Sequence, residues 1–162
     1  MKSHNIFKKI LNDTELDAAI VSLKKSGKTI AFTNGCFDII HLGHISLLQE
    51  CSSYADILIV GLNSDNSVKR LKGSERPLNN QEARAKTLAA VQFIDYITLF
   101  DADTPIDLIT RIKPDVLVKG GDWKPEQIIG ADFVQSYGGS VKVVPFIEGY
   151  STSILFDKLK QL

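Results

Sequence analysis

The stretch FTNGCFDIIHLGH, residues 32–44, places two of the chain's three histidines around one glycine, just after the short apolar run KTIAFT (28–33). A β-rich run that ends in Asn34-Gly35 and passes into a new segment reads as a buried strand turning into a helix. If that helix starts near His41, then His41 and His44 are three residues apart and share a face of its first turn. Gly43 leaves that face open for a ligand to approach the backbone. A helix N-terminus already favours phosphate, and two imidazoles there add donors aimed at the same anion. The stretch has no GxGxxG pattern, so dinucleotide binding of that type is not supported. Cys36 reads as a small turn residue rather than a nucleophile.

The rest of the chain alternates helix and strand. TELDAAIVSLKKS (14–26) fits a helix capped by Thr14 and ended by Gly27; a second helix is expected over 41–54. DILIVGLN (56–63) is nearly continuous apolar, as in a strand buried on both faces. A helix over 80–94 with Asn80 as its cap, a strand over 95–100, and a helix over 104–112 with Pro105 at its first position follow. A strand (115–120), a helix (125–137), a strand (140–146) and a closing helix (151–162) capped by Ser151 complete the pattern. This order predicts parallel pairing through right-handed crossovers. The expected fold is α/β: a doubly wound five-stranded parallel sheet (28–162) with an extra N-terminal helix (1–27), in one compact domain. Such sheets bind ligands at the carboxyl ends of their strands. The polar connection 63–80 is long enough to be functional.

Composition sets further bounds. The chain has 162 residues, 44% hydrophobic and 23% charged, with 19 basic and 19 acidic side chains. A zero net charge argues against a broad nucleic-acid face. Cys36 and Cys51 form no CxxC pair, so neither a disulfide framework nor a zinc site is indicated, and a reducing, cytoplasmic setting is expected. The first 20 residues lack the apolar core of a signal peptide, and no run approaches the ~20 apolar residues of a membrane helix.

GCFDIIHLGH resembles the H-x-G-H signature of the nucleotidyltransferase superfamily, which implies a Rossmann-like sheet. Its second signature, S-T-x-x opening the last helix, is matched by Ser151-Thr152 in EGYSTSILFDKL (148–159). GKTIAFTNGCFDIIHLGH, VGLNSDNSVKRLKGSERPLNNQEAR and DVLVKGGDW together are similar to the adenylyltransferases of ADP-heptose synthesis. Those enzymes act on D-glycero-β-D-manno-heptose 1-phosphate, alone or as the C-terminal domain of a fused kinase–adenylyltransferase. With no room for a kinase domain, the resemblance implies the standalone form. The family reads S-T-T where this chain has Ser151-Thr152-Ser153, and Ser153 keeps the hydroxyl. Glycerol-3-phosphate cytidylyltransferases carry R-T-E-G, where Phe146-Ile147 stand for Arg-Thr.

The resemblance implies transfer of AMP from ATP to the sugar 1-phosphate, with pyrophosphate released. His41, His44, Lys72 and Thr152 are the expected catalytic residues. Thr33, Asn34, Gly35, Cys36, Phe37, Gly43, Arg84, Lys119, Gly120, Asp122 and Ser151 are expected around ATP. The context EAR makes Arg84 a phosphate ligand in the family. Asp38, Asn63, Asp65, Lys69, Arg76 and Trp123 are expected around the acceptor. No protein-held metal is expected; Mg²⁺ accompanies ATP, bound mostly through phosphates and water. A homodimer is implied. The alternatives are the same chemistry with CTP and glycerol 3-phosphate or another sugar or alcohol phosphate, and a nucleotide-binding sensor without catalysis.

Overall fold

A computed structural model describes residues 5–145, 147, 149 and 150. Its strands are β1 (Ile10–Leu11), β2 (Ile30–Gly35), β3 (Ile57–Asn63), β4 (Tyr96–Phe100), β5 (Val116–Gly120) and β6 (Ser140–Val144). They form one parallel sheet in the order β1-β4-β3-β2-β5-β6. The helices are α1 (Asp13–Lys25), α2 (Leu42–Ser53), α3 (Asp65–Lys72), α4 (Gln81–Ala89), α5 (Ile106–Ile112) and α6 (Ala131–Ser136). From β2 the chain winds outward through β3 to β4, then returns to β5 and β6 on the other side. The reversal between β2 and β5 opens a crevice at their carboxyl ends, where such sheets hold ligands.

Alternation along the strands builds a core on each face. Ala31, Val60 and Val118 pack with Leu48 and Cys51 of α2 and with Ala85 and Leu88 of α4. Phe32, Ile59 and Leu117 pack with Leu16 and Ile20 of α1, Ile109 and Ile112 of α5, and Val134 of α6. Burial of both faces explains why β3 is an unbroken apolar run. Arg111 of α5 reaches Asp13 and Asp17 of α1 and ties the leading helix to the domain.

The sheet has six strands rather than five, because Ile10 and Leu11 pair with Ile97 and Thr98 at the β4 edge. The cap of α1 is Asn12, not Thr14: Asn12 and Glu15 form a reciprocal capping box. The 63–80 connection contains α3, capped by Ser64. Pro105 stands one residue before α5, as its N-cap. The expected 125–137 helix divides into a 3-10 turn (Pro125–Gln127) and α6, separated at Gly130 with φ +89°. The closing helix lies outside the described residues. No helix among the described residues is long and apolar enough to cross a membrane.

Candidate active site

The β2–α2 loop ends at His41, the N-cap of α2, in extended backbone (φ −139°, ψ 173°). Its carbonyl accepts from the N–H groups of His44 (2.9 Å) and Ile45 (3.2 Å), while its side chain makes no cap bond. The ring is thus left to stack on His44, centroids 3.8 Å apart and planes 26° from parallel. Phe37, held at φ +45°, sets its ring 5.1 Å from that of His44, tilted by 53°. It also lies over Gly35, where a Cβ would meet the Phe37 ring at 3.0 Å. A Cβ at Gly43 would sit 3.1 Å from the His41 ring and 3.4 Å from the Tyr150 carbonyl oxygen. The chain just before Ser151 therefore reaches the histidine pair. Ser151 and Thr152 themselves lie outside the described residues.

Burial lowers the pKa of both imidazoles. His44 falls to about 4, helped by charge on His41 and Lys72. The Ile39 backbone offsets part of that fall without a hydrogen bond of normal geometry to Nδ1. Nδ1 of both rings is buried without a hydrogen-bond partner among the described residues. Near neutral pH the pair is uncharged and holds hydrogen-bonding capacity that the described residues do not take up.

Two lysines stand near this loop, one from α3 and one from β5. Lys72, exposed at the end of α3, is close enough to influence both His44 and Cys36. Lys119, at the end of β5, places Nζ 3.4 Å from Asn34 Oδ1, and burial lowers its pKa. Among the described residues neither forms an ion pair. Lys69 is also exposed, whereas its neighbour Arg70 is turned away onto Asp101 and Asp103. Burial raises the Cys36 thiol despite the nearby Lys72 and Arg84 charges, which leaves it a poor nucleophile at neutral pH.

Other expected contacts are engaged within the protein. The buried Asp38 carboxylate accepts from Arg76 Nε (2.7 Å), Leu78 N (2.9 Å) and Asn79 N (2.9 Å). Burial alone would raise its pKa; the Asn79, Leu78 and Arg76 donors outweigh it and hold the carboxyl below its usual value. Arg84 is 1% exposed and bonds to four protein oxygens, one of them on Asp65. Asn63 is buried, its amide donating to Ser67 Oγ. Thr33 is buried inside β2. A Cβ at Gly120 would press on Leu47 at 3.0 Å. Asp122 and Trp123 are exposed, and Trp123 rims a cavity at the switch point with Asn34, Leu117, Lys119, Gln127 and Ile128. No group of three or more His, Cys, Asp or Glu among the described residues could hold a metal ion.

Sequence reasoning missed Asn79, whose backbone and side chain bind both Asp38 and Arg84. The Asn79-Asn80 doublet offered a signal, since only one asparagine can cap α4, and Asn80 does.

The sequence model of the cytidylyltransferase-like family matches residues 32–154. The bifunctional protein HldE of Geobacter metallireducens is 53% identical over 151 residues, covering 93% of this chain and 31% of that protein. HldE of Campylobacter fetus is 47% identical over 159 residues, covering 98% of this chain and 33% of its own. The chain thus spans about a third of the length of these relatives. The lipopolysaccharide core biosynthesis protein from Thermoplasma volcanium superposes with TM-score 0.60 at 26% identity, over 77% of this chain and 100% of that one. Pantoate-beta-alanine ligase from Francisella tularensis shares the fold, with TM-score 0.58 at 18% identity over 84% of this chain and 66% of its own. With its stacked histidines at the first strand-to-helix turn, this chain belongs to the cytidylyltransferase-like family.

Proposed function

We propose that this chain is an adenylyltransferase that transfers AMP from ATP to D-glycero-β-D-manno-heptose 1-phosphate, giving ADP-heptose and pyrophosphate. The observation that carries this reading is the stacked, uncharged His41–His44 pair on the α2 N-terminus, with Lys72 near His44 and Lys119 beside Asn34 at the head of the same loop, neither lysine having an ion-pair partner among the described residues. The similarity to HldE proteins supports the substrate pair.

A phosphate oxygen of the sugar 1-phosphate attacks the α-phosphorus of ATP. The bond from that phosphorus to the bridging oxygen breaks, and pyrophosphate leaves with the electron pair. The attacking oxygen is already an anion, so neither a general base nor a covalent enzyme intermediate is required. The protein's work is to bring two anions together and to stabilise the charge that develops. His41 and His44 hold the triphosphate, with His44 donating to the α-phosphate in the transition state. Approach of that charge raises both imidazole pKa values and strengthens the bonds as they form. Lys72 and Lys119 neutralise the two phosphate groups. Ser151 and Thr152 are assigned to the β- and γ-phosphates, and Trp123 to the base or sugar.

The described carboxylates do not offer a magnesium cage: Asp38 faces Arg76, and Asp65 faces Arg84. Mg²⁺ is assigned to the substrate, on the phosphates of ATP, where it would screen their charge. A homodimer in the cytoplasm completes the reading; light scattering on the purified chain tests the dimer.

The test is pyrophosphate release from ATP and from CTP, each offered heptose 1-phosphate or glycerol 3-phosphate with Mg²⁺. Turnover confined to ATP with the heptose phosphate is expected. Turnover with CTP and glycerol 3-phosphate would move the assignment to a cytidylyltransferase. Nucleotide binding without turnover in any pair would leave a sensor.

A further inference from the structure

We propose that Arg84 is a positioning residue, one that fixes the histidine loop relative to the lysine-bearing helix α3 without itself touching substrate; this rests on the site reading under Proposed function.

Arg84 joins four segments of chain. Its Nη1 donates to the carbonyl of Cys36 (2.6 Å), in the loop that leads to His41, and to the carbonyl of Asn63 (2.8 Å), the last residue of β3. Its Nη2 donates to the carboxylate of Asp65 (2.7 Å), the first residue of α3. Its Nε donates to the carbonyl of Asn79 (3.0 Å), just before α4. A guanidinium carries five N–H donors in a rigid plane, and these four bonds engage all three of its nitrogens. Its side chain is fully buried, so these partners replace the water that a buried cation gives up.

The brace has a second limb. Asn79, held by Arg84 through its carbonyl, donates its own N–H to Asp38 Oδ1 and its side-chain amide to the Asp38 carbonyl, both at 2.9 Å. The histidine loop is thus pinned at Cys36 and again at Asp38, two and four residues into the stretch that follows Asn34. The Arg84–Asp65 pair meanwhile fixes the start of α3, whose far end carries Lys72. The spacing between the histidines and Lys72 is therefore set through one buried side chain. A phosphate contact would instead need the guanidinium to face the crevice with its donors unengaged.

Arg84→Lys keeps the charge but cannot span four acceptors. The assay measures kcat and both KM values at a temperature where far-ultraviolet circular dichroism shows the variant folded, together with the rate at which a maleimide labels Cys36. Cys51, fully buried, is the internal control. The expected result is a fall in kcat of at least ~30-fold with each KM changed less than ~3-fold, since misplacement of about 1 Å can cost ~100-fold. Cys36 labelling should accelerate at least ~10-fold as its carbonyl is released. A KM increase that accounts for the whole loss would make Arg84 a substrate contact, and kcat within ~3-fold of wild type would make it merely structural; either overturns the proposal. If Arg84→Lys does not fold, Asp65→Asn replaces it: a kcat loss without a KM change supports the brace, and unchanged kcat overturns it. Wild-type turnover tests the substrate reading separately. If no substrate pair turns over, that reading fails, and Cys36 labelling still decides the brace, unchanged labelling overturning it.

Discussion

The His41 and His44 rings stack at a centroid separation of 3.8 Å; burial keeps both imidazoles uncharged near neutral pH, and at His44 the neighbouring His41 adds to that effect. Two cations could not share this spacing without repulsion, so the free protein holds the pair neutral until an anion arrives. Stability should report this. The His44 pKa is about 4 in the fold against 6.5 in the unfolded chain. Between those values the unfolded state binds the extra proton, so stability is fully present above about pH 6.5 and is lost as pH falls toward 4. Urea denaturation across that range should show a loss on the order of 3 kcal/mol, and His44→Asn should flatten the slope.

Catalysis should depend on His44 more than binding does. A donor that strengthens only as charge develops on the α-phosphate lowers the barrier without tightening the ground state. His44→Ala is expected to reduce kcat by ~100- to 1,000-fold while the dissociation constant for ATP changes by less than ~10-fold. Steady-state kinetics and equilibrium titration measure the two quantities. An active His44→Ala enzyme would remove the histidine from the mechanism.

Asp38 offers a contrast, since its carboxylate is buried against Arg76, Leu78 and Asn79. Asp38→Asn removes the negative charge and turns an amide toward donors. Breaking a buried pair in this way costs about 3 kcal/mol, and the urea midpoint should fall accordingly at pH 7. The sign with pH is opposite to that of a raised base: the Asp38 contribution is present above the unfolded carboxylate value and is lost as pH falls through its lowered folded value. The variant should lack that acid-side component.

How much of this was legible in the sequence depends on how local each feature is. The histidine turn was readable because strand, loop and helix start lie within one short stretch, and α2 begins one residue after His41. β3 was readable from its apolar run. β1 was not: two residues carry no periodicity, and they become a strand only because the β4 edge lies beside Ile10 and Leu11. Helix α3 was hidden by its polarity, since only Ser67 and Val68 are buried. Arg84 was legible as important but not as buried. Its acceptors come from residues 36, 63, 65 and 79, and their meeting is a product of the fold.

Gly43 separates stability from activity in one substitution. Gly43 is the second residue of α2, where replacing glycine by alanine ordinarily adds helix stability of up to about 1 kcal/mol. Here the added methyl would lie 3.1 Å from Cε1 and Nδ1 of His41, closer than comfortable contact, and 3.4 Å from the Tyr150 carbonyl oxygen. Something must shift by a few tenths of an ångström, and the half-exposed His41 ring gives way more easily than backbone. Such a shift tilts the ring away from His44 and narrows the space that a triphosphate needs against the helix end. Gly43→Ala should therefore keep or slightly raise the thermal midpoint while lowering kcat/KM for ATP by ~10-fold or more. Thermal denaturation and initial-rate kinetics on the same preparation check this. Full activity in a stable Gly43→Ala protein would mean that the open face of the helix start is not where the nucleotide binds.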